Sequence, residues 1–107
     1  MKVIQSPLFA RKIKKFHKQD KQILDNQIRL ILENPKIGQE KKGDLKNIFV
    51  YKFKIFDKQY LLSYRYHNDQ LELITIGSHE NYYRDLKSYL KKKYRVGFIY
   101  ICLKLNV

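Results

Sequence analysis

Lys52 and Lys54 stand two positions apart in a β-rich stretch, and further along the chain a histidine follows a glycine turn in Gly77-Ser78-His79. These residue types suit phosphodiester chemistry. Attack of an RNA 2′-hydroxyl on the adjacent phosphate needs a base, an acid for the leaving oxygen, and cations for the charge that builds on phosphorus. No metal is needed in principle. Side chains alternate along a strand, so both amines fall on one surface, where they could hold one phosphate. Histidine ordinarily titrates near neutrality, which makes His79 the best acid or base candidate. Tyr82 and Tyr83 point about 100° apart at a helix start, so one can pack while the other faces a substrate base or phosphate. Arg65 would strengthen the same surface if the strand register brings it round. Plainer roles stand beside each of these: a solvated strand face for the lysines, a helix cap for His79, and core packing for both tyrosines.

The elements that must position these groups can be read from periodicity. Residues 2–5 predict a short strand. Ser6-Pro7 then offers a cap and a helix-starting proline before Leu8, Phe9, Ile13 and Phe16, which predicts a helix over about 6–19. Asp20 can cap a second helix carrying Leu24, Ile28 and Ile31 at helical spacing, stopped by Asn34-Pro35. Residues 35–44 hold turn formers and no apolar period, as a surface loop would. Three β-rich runs follow at about 46–56, 59–67 and 70–77, with joints short enough for an antiparallel meander. Helical spacing returns over 81–93 through Tyr82, Leu86, Tyr89 and Leu90. The β-rich tail 94–107 would invite aggregation if left exposed, so pairing with the sheet or a partner is expected. Residues 1–93 thus read as one domain and 94–107 as its extension.

Composition bounds what such a domain does. The chain has 107 residues, with 23 Lys and Arg against 10 Asp and Glu, a formal net charge of +13. Anionic partners are favoured and self-association is opposed. A hydrophobic content of 44%, including nine Tyr and six Phe, is too rich for a disordered basic tail, so the charge must coat a folded core. A lone cysteine, Cys102, and three scattered histidines offer neither an internal disulfide nor a zinc-ligand spacing. The opening Met1-Lys2-Val3-Ile4-Gln5 runs into lysine-rich sequence, and the apolar run Val96 to Leu103 is too short to span a bilayer. A cytoplasmic protein without a membrane partner, metal or cofactor is expected.

Taken in order, the helix hairpin, the Asn34-Pro35 loop, Gly43-Asp44-Leu45, the tyrosine- and lysine-rich meander and Gly77-Ser78-His79-Glu80-Asn81-Tyr82-Tyr83 resemble the RelE/ParE family of bacterial toxins. The resemblance covers about residues 2–92. It implies an α+β fold: an N-terminal helical hairpin packed on a small, mostly antiparallel sheet of about four strands, with a C-terminal helix. It also implies the toxin of a type II toxin-antitoxin system, held inactive by a cognate antitoxin protein. RelE-like members cleave messenger RNA in the ribosomal A site, whereas ParE-like members inhibit DNA gyrase without ribonuclease chemistry. Tyr51-Lys52-Phe53-Lys54 resembles the lysine-bearing strand of the ribonucleases, and Gly77-Ser78-His79 with Tyr83 resembles their end of sheet and helix start. The expectation is a metal-independent endoribonuclease working on RNA and the ribosome. Lys52, Lys54, His79 and Tyr83 would be catalytic, and Arg65, Arg84 and Lys46 would bind RNA. The pattern departs from the best-known ribonucleases where Leu61 and Leu62 stand in place of an arginine that often follows the tyrosine, and where His79, shared with the most similar members, takes a place that an arginine can hold.

Overall fold

The computed structural model describes residues 2–41 and 47–78 and, as backbone, residues 99–100. The chain opens with strand β1, Lys2–Gln5, and helices α1, Pro7–Ile13, and α2, Lys18–Glu33. Strands β2, Gln39–Glu40, β3, Phe49–Ile55, β4, Lys58–His67, β5, Gln70–Ser78, and β6, Ile99–Tyr100, follow. One sheet has the order β2-β3-β4-β5-β1-β6, antiparallel throughout except where β1 runs parallel to β5. The architecture is the expected α+β one. Its sheet exceeds the expected four strands because two two-residue pieces add themselves to the edges. Gln39–Glu40, read from sequence as loop, pairs with Val50 and Phe49. Ile99–Tyr100 pairs with Gln5 and Ile4, so part of the tail does join the sheet. The third helix expected over 81–93 lies outside the described residues.

Helix α1 is shorter than its apolar spacing suggested. It starts on Ser6, whose side chain accepts from the Phe9 N–H at 3.0 Å, with Pro7 in the first turn. It stops at Ile13, and Lys15 and Phe16 tighten into bonds to Lys12 and Ile13 carbonyls. That turn swings the Phe16 ring edge-on to Tyr60, centroids 5.5 Å apart. Helix α2 therefore begins earlier than expected, with His17 in the cap position. Asp20 sits one turn in and its carboxylate accepts from the His17 N–H at 3.2 Å. Asn34 ends the helix, as read from Asn34-Pro35.

Both helices cover one face of the sheet. Phe9 and Ile13 of α1 and Leu24, Ile28 and Ile31 of α2 share a core with Val3, Phe53, Leu62, Tyr64, Leu71, Leu73 and Ile76. Burying side chains of this size is worth about 1.5–3 kcal/mol each, which selects the register of every strand that contributes. On β5 that selection overrides simple alternation. Ser63 pairs with Thr75 but Tyr64 with Leu73, so Ile74 is an extra residue in a bulge. The bulge changes the strand's phase and turns Ile76 to the same face as Leu71 and Leu73.

The remaining joints obey turn chemistry. Asn68 and Asp69, between the paired His67 and Gln70, both have positive φ, 50° and 63°, as a two-residue hairpin of the primed type requires. Gly38 is needed for close approach. A Cβ there would lie 2.8 Å from the Tyr64 hydroxyl, which accepts from the Gly38 N–H at 3.0 Å and donates to the Pro35 carbonyl at 2.6 Å.

Candidate nucleic-acid interface

Strand β3 decides where the lysine pair points. Phe53 and Ile55 are buried in the helix-side core, and Tyr51 donates a hydrogen bond to Gln27 of α2 at 2.6 Å. Aromatic contacts hold the same face: Tyr51 stacks with Phe53 at 6.0 Å and Phe53 with Tyr60 at 6.2 Å. With three consecutive alternate residues fixed against the helices, Lys52 and Lys54 must project from the other face. Both are exposed, and neither forms an ion pair with a described residue. Their Cα atoms are about 6.6 Å apart, two strand steps, so both amines can reach one phosphate group.

The cross-strand neighbours of the lysines lead towards the end of β5. Lys52 is level with Leu61 of β4, which in turn is level with Gly77 of β5. Leu61 is itself fully buried, and a Cβ on Gly77 would meet no described atom within 4 Å. Lys54 is level with Gln59, and Tyr60 beside it with Ser78. The described part of β5 therefore ends at the same end of the sheet as the lysines. His79 is the next residue in sequence. His79, Tyr83, Arg84 and Lys46 all lie outside the described residues.

Arg65 is brought to the same face but not to the same place. It lies four positions beyond Leu61 along β4, about 13 Å of strand. There it is level with Glu72, which accepts from the arginine Nε at 3.2 Å and Nη2 at 3.0 Å. The structure thus joins Lys52 with Lys54 and sets Arg65 apart, its charge met by a carboxylate. Around Arg65 is an open groove of about 770 Å³, lined also by Lys36, Asn47, Phe49 and His67. Neither this groove nor the β3–β4 hairpin tip, where Phe56 is exposed beside Lys54 and Lys58, was legible as a site in the sequence. The missed signal at the tip is the break of β alternation at Phe56-Asp57, which moves the turn one residue earlier than Asp57-Lys58.

Among the described residues no group of three or more His, Cys, Asp or Glu side chains is placed to hold a metal ion. The titrating group with a clear perturbation is structural. Burial pushes the Tyr64 hydroxyl above its ordinary value, with the Gly38 N–H pulling the other way.

Comparison with known proteins places this geometry. Residues 3–87 match the model of a ParE-like toxin of type II bacterial toxin-antitoxin systems. No curated protein sequence matches. The intact E. coli RelBE toxin-antitoxin complex contains a chain of similar fold, with a TM-score of 0.59 and 19% identity, covering 73% of this chain and 95% of that one. The isolated E. coli RelE toxin is similar with a TM-score of 0.57 and 18% identity, covering 81% and 96%.

Proposed function

The chain belongs to the ParE-like toxins of type II bacterial toxin-antitoxin systems, and from that premise we propose that it is a metal-independent endoribonuclease that cleaves messenger RNA on the ribosome. The observation that carries this reading is the exposed Lys52 and Lys54 pair, co-facial and free of described acidic partners, at the end of the sheet where the described part of β5 stops. A gyrase-binding protein needs no such pair. A phosphodiesterase does, because two ammonium groups on one phosphate favour the dianionic transition state over the monoanionic ground state.

In the proposed reaction the RNA 2′-hydroxyl loses its proton to a base and attacks the neighbouring phosphorus. The bond from phosphorus to the 5′-oxygen breaks, and that oxygen takes a proton from an acid. The products are a cyclic phosphate and a 5′-hydroxyl, with atoms and charge balanced and no outside reactant. Lys52 and Lys54 stabilise the phosphorane, His79 transfers a proton, and Tyr83 orients the substrate. Lys46, Arg65 and Arg84 contribute to RNA binding. The cognate antitoxin is the expected protein partner, and the +13 charge would speed its association if it is acidic.

The test is to add the purified protein to a translating bacterial extract and map new messenger RNA ends, with naked RNA in EDTA alongside. Ribosome-dependent cuts that a Lys52→Gln, Lys54→Gln double variant reduces by roughly 100-fold or more would support the reading, since removing a transition-state charge partner costs on that order. Undiminished cutting by that variant would overturn the lysines' role. The ParE-like description of the matching family supports a second reading, inhibition of DNA gyrase. Intact RNA in every lane, with loss of supercoiling by purified gyrase, would establish that one instead.

A further inference from the structure

The tip of the β3–β4 hairpin carries a residue that the turn itself disfavours. Ile55 pairs with Lys58, leaving Phe56 and Asp57 as a two-residue connection. Phe56 has a φ of 56°, in the left-handed region where a bulky L-residue is an outlier and where a hairpin of this length favours glycine. Its side chain is also 68% exposed, the most open of the large apolar side chains among the described residues. One exposed apolar residue is ordinary. A phenylalanine that is both exposed and held at positive φ gains neither burial nor an easy backbone from its position, and such sites tend to mark function.

The surroundings indicate what an exposed ring would meet. Lys54 precedes it by two residues on the face away from helices α1 and α2, with Lys52 two further back. Lys58 follows it on the helix-side face, its ammonium 5.7 Å from the Tyr60 ring centroid. Cations therefore stand on both faces of the tip, and three lysines outnumber Asp57 in the turn. An unpaired aromatic ring between cations matches a single-stranded nucleic acid, in which a base offers a flat face and the flanking phosphates offer charge. An apolar protein surface would match the ring and leave the lysines desolvated without partners.

We propose that Phe56 is a base-stacking platform that binds one unpaired nucleotide of RNA immediately beside the Lys52 and Lys54 surface. This rests on the reading of that surface as an RNA site. Stacking at the tip would hold the strand so that a neighbouring phosphate lies over the two lysines, making Phe56 a substrate-binding residue.

The experiment measures binding of a fluorescein-labelled, 2′-O-methyl single-stranded RNA of about twelve nucleotides, within the span such surfaces cover. Wild type, Phe56→Gly, Phe56→Trp and the Lys52→Gln, Lys54→Gln variant are compared, each with its melting temperature and its affinity for inorganic polyphosphate, which carries charge without bases. Phe56→Gly is expected to keep or raise the melting temperature, leave polyphosphate binding unchanged, and weaken RNA binding on the order of tenfold. Phe56→Trp is expected to keep the affinity, and its indole, in a chain with no other tryptophan, to be quenched as RNA saturates it. Equal RNA affinity in Phe56→Gly and wild type, while the lysine variant binds weakly, overturns the stacking role and leaves the RNA site intact. An unquenched tryptophan at saturation overturns it as well. Absence of RNA binding by the wild type overturns the stacking role, while the lysine surface is judged separately by cleavage in the translating extract, and loss of gyrase binding in Phe56→Gly in place of RNA binding assigns the ring to a protein partner.

Discussion

Tyr64 shows how one hydroxyl can organise a loop. It sits in the core, stacked on Phe49 at 5.5 Å, and its oxygen bridges the Pro35 carbonyl and the Gly38 N–H. Losing the hydroxyl leaves that N–H without its partner, which costs about 1–3 kcal/mol if water does not replace it. Burial also raises the pKa, so the folded state holds the phenolic proton more tightly than the unfolded chain does. The sign follows from linkage. That contribution is complete below the ordinary tyrosine value of about 10 and is lost as pH rises through the higher folded value. Denaturant melts of Tyr64→Phe should show lower stability near neutrality and a shallower decline as pH rises above about 10. A decline as steep as wild type would mean that another group carries the alkaline transition.

At the scale of elements, Ser6 ties helix α1 to the bulged strand. Its hydroxyl accepts from Phe9 and donates to the carbonyl of Ile74, the extra residue of β5, while the Ser6 N–H donates to Leu73 at 2.9 Å. Within the bulge, Ser63 accepts from the Thr75 N–H at 3.2 Å and donates to the Thr75 carbonyl at 3.3 Å. The bulge is thus sealed from both sides by hydroxyls that are themselves buried. Ser6→Ala removes a cap and strands the Ile74 carbonyl, and an unfolding free energy lower by about 2 kcal/mol is expected. A loss under about 0.5 kcal/mol, the usual range of a surface change, would show that the cap and the bulge are independent.

For the whole molecule, a net charge of +13 on a sheet-and-helix body makes ionic strength the most direct probe of its partner. Binding to single-stranded RNA releases counterions, so log affinity should fall linearly with log salt, with a slope near 0.7 per phosphate engaged. Replacing Lys52 and Lys54 by Gln should reduce that slope by about 0.7 if the two lysines share one phosphate. A slope unchanged by the double replacement would place the phosphates on other lysines of this strongly basic surface. Arg65, already engaged by Glu72, should alter the slope less than either lysine.

Much of the architecture was legible in the chain because local rules and global packing agree there. Ser6-Pro7 starts a helix, Leu24, Ile28 and Ile31 share one helical face, Asn68-Asp69 makes a primed turn, and β3 alternates Phe53 and Ile55 inward with Lys52 and Lys54 outward. Each depends on neighbours within a few residues, and so does the co-facial lysine pair. What tertiary structure alone decided depends on partners far along the chain. Parallel pairing of β1 with β5, the edge strand Gln39–Glu40, the choice of β1 as partner for Ile99–Tyr100, and the Ile74 bulge were not readable, because no local pattern encodes which strand a segment will meet. The distance between Arg65 and the lysines belongs to the same class. Alternation placed Lys52 with Lys54, but only the register of β3 against β4 and of β4 against β5 brought Arg65 to their face and set Lys52 level with Leu61 and Arg65 level with Glu72. Residue types therefore determined the chemistry available to this protein, and strand register, selected by burial of the helix-side core, decided which of those residues stand together.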